Sequence, residues 1–302
     1  MDKLFQDEPV VLVDAYAWIF RAYYALPDFR NQDGQPTSAV HGFLSIFPKI
    51  ISFVEKKYGA APEFVVFFDR GGPQERLAAY ADYKANRPET PEDLKSQVPL
   101  IEEALSALSI PQVAIHGVEA DDAIGSAATA FAGQGRRVVI ASNDKDFFQI
   151  LADDIRLLRP SGRPDDFVLM DPKSLKEKYG LPPDRMVDFF ALVGDAVDNV
   201  PGVKGIGEKT AVKILGKYAT LEEIYDNLTR LPKVAAKALL AQRSEAFLSR
   251  DLVRLRLDLE VDVIPVPFDP ARFDRDKLGR ILNKLELKRL AEKFLGDGPV
   301  GD

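Results

Sequence analysis

Short apolar runs recur in the first half of the chain, and each leads into an acid. Val10-Val11-Leu12-Val13 runs into Asp14, and Phe64-Val65-Val66-Phe67-Phe68 runs into Asp69. Arg137-Val138-Val139-Ile140-Ala141-Ser142 is followed by Asp144-Lys145-Asp146. Unbroken apolar runs of strand length indicate strands buried on both faces, as in a parallel sheet covered by helices. Residues 113–115 add a short strand, and 155–158 and 167–170 read as edge strands around the turn Pro160-Ser161-Gly162. Helical spacing fills the gaps: residues 15–24, 37–58 with a break or bend at Pro48, 94–108, 123–131, and 172–179 ending at Gly180. Proline inside a helical period is the expected point of interruption. Strand and helix alternate, which predicts an α/β fold with a parallel-type central sheet flanked by helices over residues 1–180. From residue 183 the pattern is helical, so residues 181–302 are expected to form a helical region.

The acids change the picture from fold to chemistry. In a sheet with helices packed on it, ligands sit beyond the carboxyl ends of the strands. Asp14, Asp69, Asp144 and Asp146 all fall there. Glu119-Ala120-Asp121-Asp122 opens the helix that precedes the third of these strands, and Gly194-Asp195-Ala196-Val197-Asp198-Asn199 adds two more acids. Acids in a first helical turn complement the helix dipole, and aspartate is common in turns after strands. Either explanation serves one residue. Together, clustered carboxylates repel one another, and a cation is needed to offset that cost. Hard divalent cations take carboxylate and water oxygens.

Composition narrows the chemistry. The 302 residues contain no cysteine and two histidines, His41 and His116. Thiol catalysis, disulfides and sulfur-ligated metals are excluded. Histidine-rich metal sites and a Ser-His-Asp triad are disfavoured. The absence of cysteine, the charged start of the sequence and the lack of an apolar membrane span predict a cytoplasmic protein with no membrane partner. The formal net charge of −7 argues against a simple basic nucleic-acid binder. Setting aside the nine acids named above leaves a formal +2 on the rest, a mildly basic body around an acidic site.

Two basic segments remain. After Arg70-Gly71-Gly72-Pro73, residues 70–95 carry Arg76, Lys84, Arg87 and Lys95 among acids, with Tyr80 and Tyr83 interleaved. This reads either as a solvated surface helix or as a mobile cover beside Asp69. Tyr83-Lys84 near Arg87 would offer a stacking face beside cations. Arg21, on the first helix, could point at a phosphate. The second segment is Pro201-Gly202-Val203-Lys204-Gly205-Ile206-Gly207-Glu208-Lys209-Thr210-Ala211, opening a helix to about residue 218. Lys204, Lys209, Lys213 and Lys217 against Glu208 leave a local +3. Glycines allow close approach of backbone N–H groups to an anion, and a helix N-terminus follows. It is not a nucleotide-binding P-loop: Glu208 separates Gly207 from Lys209, and no strand precedes it.

Taken jointly, these motifs resemble the 5′-nuclease domain of bacterial DNA polymerase I, within the flap endonuclease and 5′–3′ exonuclease superfamily. The resemblance rests on Leu12-Val13-Asp14, Phe68-Asp69, Tyr83-Lys84, Gly117-Val118-Glu119-Ala120-Asp121-Asp122, Asp144-Lys145-Asp146, the Gly194 to Asn199 motif and the glycine-lysine segment after it. Leu285-Glu286-Leu287-Lys288-Arg289 is similar to the family's last helix. Ala15 and Ser38 depart from the family, which often has glycine there, as does Glu75, where an aromatic residue is usual. The resemblance implies a PIN-like sheet domain with a helical arch at about 70–95. It also implies a helix–three-turn–helix duplex anchor at about 183–218. The chain is expected to be a stand-alone member or the amino-terminal part of a polymerase, acting as a monomer.

The implied activity is hydrolysis of DNA at flaps, nicks, gaps and 5′ ends. The implied cofactors are two or more Mg²⁺ or Mn²⁺ ions. Asp14, Asp69, Glu119 and Asp121 would serve mainly the first ion. Asp121, Asp144, Asp146, Asp195 and Asp198 would surround the second, with Asp122 acting near both through water. Lys84 and Arg76 would stabilise charge on the phosphate. Gly202, Lys204, Gly205, Gly207, Lys209, Thr210 and Lys213 would hold duplex DNA, with Arg21, Tyr83 and Arg87 as further contacts. The carbonyls of Val203 and Ile206 would hold a potassium ion. The competing readings are a PIN-type ribonuclease and a non-catalytic junction-binding protein.

Overall fold

The computed structural model describes residues 8–162 and 166–296. The charged start of the sequence and its end at Asp302 lie outside the described residues. Seven strands build one sheet: β1 Val10–Asp14, β2 Glu63–Phe67, β3 Gln112–Val113, β4 Val138–Ala141, β5 Ile155–Pro160, β6 Phe167–Met170 and β7 Val266–Pro267. Their order is β3-β2-β1-β4-β5-β6, with β7 pairing on β2. β1 lies parallel to both neighbours, Leu12 opposite Val65 on one side and Ile140 on the other. Among the described residues, only β6 and β7 run antiparallel to their neighbours. The parallel centre explains the unbroken apolar runs, because both faces of β1, β2 and β4 are covered.

The helices preceding the last third of the chain are α1 Ala15–Ala25, α2 Ser38–Leu44, α3 Ile46–Tyr58, α4 Gln74–Ala79, α5 Glu92–Lys95, α6 Val98–Ala107, α7 Ala120–Gly133 and α8 Pro172–Tyr179. Then follow α9 Met186–Val193, α10 Glu208–Leu215, α11 Leu221–Asp226, α12 Lys233–Ala241, α13 Arg243–Val253, α14 Arg275–Lys284 and α15 Lys288–Leu295. Among the described residues no helix is long and apolar enough to cross a membrane.

The sheet divides two cores. Val10, Leu12, Val65, Phe67, Val138 and Ile140 face α7 and α9 through α13. Val11, Val13, Phe64, Val66 and Val139 face α1, α2, α3, α6, α14 and α15. Side chains alternate across a strand, so one pleat serves both cores.

Three expectations are corrected. The long helix breaks at Ser45, not at Pro48. Pro48 sits in the first turn of α3, where its missing N–H has no helical partner to lose. The 70–95 segment is not one surface helix: α4 and α5 are short and separated by turns. The last stretch does not belong wholly to a helical region. β7 adds to the sheet, and Phe273, Leu278, Ile281 and Phe294 pack into the core of the amino-terminal half. That placement is long-range, and a two-residue strand carries no periodic signal.

Candidate metal and nucleic-acid site

Because β2, β1 and β4 are adjacent and parallel, their carboxyl ends share one edge, and three acid-bearing segments emerge there. Asp14 ends β1 and caps α1, accepting from the Ala17 amide at 3.1 Å. Asp69 follows β2, and its Oδ1 accepts from the Ala120 amide at 2.7 Å, tying it to the start of α7. Glu119 is the residue before α7, with Asp121 and Asp122 in its first turn. After β4, the Ser142 hydroxyl donates to Asp14 Oδ2 at 2.7 Å and accepts from the Asp144 amide at 3.0 Å. The Asp146 amide donates to Asp144 Oδ1 at 2.8 Å. Ser142 is fully buried. It was not among the predicted site residues. Its signal in the sequence is its place between a strand and the acids, which marks no particular role.

Asp195 and Asp198 arrive from the other half of the chain. They occupy a tight turn closed by mutual backbone hydrogen bonds between Asp195 and Val200, at 3.0 and 2.7 Å. Gly194 and Gly202 flank this turn, both at positive φ. A Cβ on Gly194 would stand 2.6 Å from the Val200 carbonyl oxygen, and one on Gly202 would stand 2.6 Å from the Gly194 nitrogen. Only glycine fits either position. Lys145 holds the turn to the sheet, with Nζ 3.1 Å from Asp195 and 5.0 Å from the Phe190 ring centroid.

The 70–95 cover lies over these acids. The Lys84 amide donates to the Asp198 carbonyl at 2.9 Å, and Asn199 Nδ2 donates to the Asp82 carbonyl at 2.7 Å. The Lys84 ammonium pairs with Glu119 and stands 3.9 Å from Asp198. Arg87 pairs with Asp198 at 2.6 Å. Lys84 adopts φ 58°, an uncommon left-handed conformation for a side-chain-bearing residue.

Two expectations for the cover do not match this arrangement. The Tyr83 ring is 5% exposed and packed in the core, so it offers no stacking face. Arg76 does not face outward either. It pairs with Asp122 at 2.6 Å and Glu119 at 2.5 Å, and donates to the Leu252 and Arg254 carbonyls at 2.8 and 2.9 Å. Its side chain is 11% exposed. Asp122 also accepts from the Arg256 amide at 2.9 Å. Arg76 therefore bolts α4 to α7 and to the end of α13, and Asp122 is engaged in holding it.

Electrostatics sort the acids. Burial pushes the Asp14 carboxyl up to about 7, with Asp69 and Asp144 adding to the rise against the Ser142 and Ala17 hydrogen bonds. Burial, then Asp144 and Asp14, holds Asp121 well above the usual carboxylate range. Burial, then Asp144 and Asp198, does the same to Asp146. Asp144 is raised by burial as well. Burial opposes the Lys84 charge, but Glu119, Asp121 and Asp198 outweigh it, so its proton is held more tightly than usual. Among the described residues no three acids close on a common centre tightly enough to cage a metal ion. The cations of the cover stand among Glu119, Asp122 and Asp198 instead. An oxygen-only donor set held above its normal pKa by burial and then by its acidic neighbours fits a hard divalent cation that keeps part of its water shell.

The glycine-lysine segment forms a separate surface. Gly202 (φ 61°) and Gly205 (φ 97°) turn the chain. The Gly202 amide donates to the buried Ser249 hydroxyl at 2.9 Å, and the Val203 amide to the Leu192 carbonyl at 2.8 Å. Gln242 accepts from the Lys204 amide at 2.9 Å and donates to its carbonyl at 3.1 Å. Val203 and Ile206 bury their side chains, while Lys204, Gly205, Gly207, Lys209 and Lys213 are exposed and Thr210 is half-buried at the start of α10. Arg21 is exposed on α1.

Comparison with known proteins gives this arrangement a family. The profile described as the 5'-3' exonuclease N-terminal resolvase-like domain matches residues 9–180, and that of the 5'-3' exonuclease C-terminal SAM fold matches residues 181–276. A 5'-3' exonuclease of Aquifex aeolicus is 36% identical over 282 residues, covering 93% of both chains. DNA polymerase I of Pseudomonas aeruginosa is 39% identical over 295 residues, 95% of this chain and 31% of the relative. The chain thus spans about a third of the length of the polymerase relatives. The fold is that of T5 5'-exonuclease with bound zinc (TM-score 0.67, 22% identity, 95% and 98% covered). It is also that of the Rad2 catalytic core in complex with DNA (TM-score 0.64, 18% identity, 96% and 92% covered). With both family domains present in order and a full-length relative above the identity that marks common descent, the chain belongs to the 5'-3' exonuclease family.

Proposed function

We propose that the chain is a structure-specific 5′ nuclease that hydrolyses DNA phosphodiesters at flaps, nicks, gaps and 5′ ends. The observation that carries this reading is the crowding of Asp14, Asp121, Asp144 and Asp146 at one sheet edge, beneath a cover that carries Lys84 and Arg87. When bound there, two Mg²⁺ or Mn²⁺ ions would supply a hydroxide nucleophile and stabilise the leaving oxygen. Asp14, Asp69, Glu119 and Asp121 would hold one ion, and Asp121, Asp144, Asp146, Asp195 and Asp198 the other. Ser142 keeps Asp14 and Asp144 in register with each other. Lys84 turns from Glu119 toward the scissile phosphate as the cover reorganises, where a positioned charge lowers the barrier. Arg76 anchors the base of the cover. Exposed Lys204, Lys209 and Lys213, with the amides around Gly205 and Gly207, hold the duplex backbone away from the site. The Val203 and Ile206 carbonyls are the candidate ligands of a potassium ion bridging to that backbone. A monomeric enzyme in the cytoplasm, alone or beside a polymerase module, fits this reading.

The test uses 5′-labelled flap DNA, nicked duplex and single-stranded RNA, each with Mg²⁺ or EDTA. Metal-dependent cleavage of the flap and nick is the expected result. Cleavage confined to RNA would replace the reading with a ribonuclease, and binding without cleavage would replace it with a junction-binding protein.

A further inference from the structure

Asp144 sits on the irregular stretch after β4 and Asp146 opens the single 3-10 turn Asp146–Ile150, a short segment that mutual repulsion would push outward. Something must hold that segment against the sheet. Ser142 does so at its root. Its far side is gripped from the next strand. β5 runs parallel to β4, with Leu158 opposite Ala141 and the Ser142 amide donating to the Leu158 carbonyl at 3.2 Å. Arg159, the next residue, therefore stands beside the loop as it leaves the sheet.

Arg159 spends its guanidinium on Asn143. Nη2 donates to the Asn143 side-chain oxygen at 2.9 Å and to its main-chain carbonyl at 3.0 Å, and Nε approaches the same side-chain oxygen at 3.3 Å. The guanidinium lies 5.3 Å from the centroid of the Phe148 ring, which is fully buried two residues after Asp146. One side chain thus touches the loop immediately before Asp144 and just after Asp146. We infer that Arg159 is a positioning residue: by chelating Asn143 and placing its guanidinium over the Phe148 ring it fixes the segment that presents Asp144 and Asp146 to a divalent cation.

The chemistry requires arginine. A planar fork can satisfy a side-chain and a main-chain oxygen of one residue at once and still lie flat on an aromatic ring, whereas an ammonium is a point donor. Groups that orient metal-binding side chains from outside the coordination sphere typically contribute 10- to 100-fold in metal affinity or activity. This inference rests on the nuclease reading for its rate arm but not for its binding arm.

The experiment uses the full chain as wild type, Arg159→Met, Arg159→Lys, Asn143→Ala and the Arg159→Met/Asn143→Ala double variant. Mn²⁺ affinity is measured by calorimetry without DNA, flap affinity in Ca²⁺, and single-turnover flap cleavage in Mg²⁺. Arg159→Met should weaken Mn²⁺ binding and slow cleavage by about 10- to 100-fold, with flap affinity unchanged. Arg159→Lys should fall between it and the wild type, and the double variant should be no worse than Arg159→Met. A folded Arg159→Met that binds Mn²⁺ and cuts as the wild type does overturns the inference, as do additive losses in the double variant. If Arg159→Met fails to fold, Arg159→Lys and Asn143→Ala decide by the same two readouts. If the wild type cuts nothing, the nuclease reading fails, and Mn²⁺ affinity alone decides the role of Arg159.

Discussion

The acids at the sheet edge fall into two groups that differ in who balances their charge. Asp14, Asp121, Asp144 and Asp146 crowd one another, and each is held above its ordinary pKa by burial and by its neighbours. Glu119, Asp122 and Asp198 sit against Lys84, Arg76 and Arg87 of the cover. The first group stores repulsion that an incoming cation relieves. The second uses its charge to hold the cover in place, so substrate or metal must displace those cations before the same carboxylates serve another partner. One constellation thus combines mutually repelling acids with a latch of ion pairs.

The sharpest way to break this comparison is to neutralise one acid from each group. Asp146→Asn should abolish flap cleavage in Mg²⁺ while flap binding in Ca²⁺ persists, and it should raise the melting temperature of the metal-free protein by removing repulsion. Asp198→Asn should also stop cleavage, but it should lower that temperature, because Arg87 and Lys84 lose their partner. Equal melting shifts of the same sign would erase the distinction between the groups.

Lys84→Ala comes next in size. It removes the cation proposed to turn from Glu119 to the phosphate, and a preorganised charge at a reacting phosphate typically contributes on the order of 10²–10³ in rate. Single-turnover cleavage should slow to that degree, with Lys84→Arg recovering part. A normal rate at saturating DNA would leave Lys84 as a latch alone.

The pH dependence of stability tests the crowded group by itself. Asp14 is raised from an ordinary 3.8 to about 7, so the fold disfavours its charged form. The metal-free protein is therefore favoured at acid pH, loses stability as pH rises from about 4 through about 7, and levels off above that. Asp121, Asp144 and Asp146 act in the same direction. Melting curves from pH 8 down toward 5 should rise without metal and flatten with Mn²⁺. A fall on mild acidification would show that the paired group dominates instead. The smallest effect belongs to the duplex surface. Lys209→Ala should weaken binding to many duplex sequences alike and reduce the salt slope by about 1, as for one lost phosphate contact. An unchanged slope across KCl concentrations would exclude that contact.

What the sequence carried was local. An apolar run ending on Asp14 or Asp69 is visible because strand burial and strand exit follow one another along the chain. Helix starts at Glu119 and Glu208 are visible for the same reason. What it did not carry is recorded in contacts between distant residues. The resemblance assigns Arg76 to the phosphate, but its orientation is set by Asp122, Glu119 and the carbonyls of Leu252 and Arg254. Tyr83 looked available because its neighbours are charged, yet its ring fills the core. Ser142 and Arg159 have residue types common at any strand end, and it is the pairing of β4 with β1 and with β5 that gives them work. β7, two residues long, leaves no period to read.

The backbone contact between Gly194 and Gly202 has a consequence for anyone mutating this chain at random. Neither glycine carries a functional group, yet a single methyl at either would strike main-chain atoms of the opposite strand of the turn. That turn delivers Asp195 and Asp198, so the damage would be read out as lost activity. In a library scored by survival or by turnover, both glycines would score as intolerant as the carboxylates they deliver. A map of mutational tolerance would then outline the hinge of the turn as if it were chemistry. Purifying the Gly194→Ala and Gly202→Ala proteins and measuring their Mn²⁺ affinity separates the two, since a displaced turn should weaken metal binding while every proposed ligand remains in the sequence.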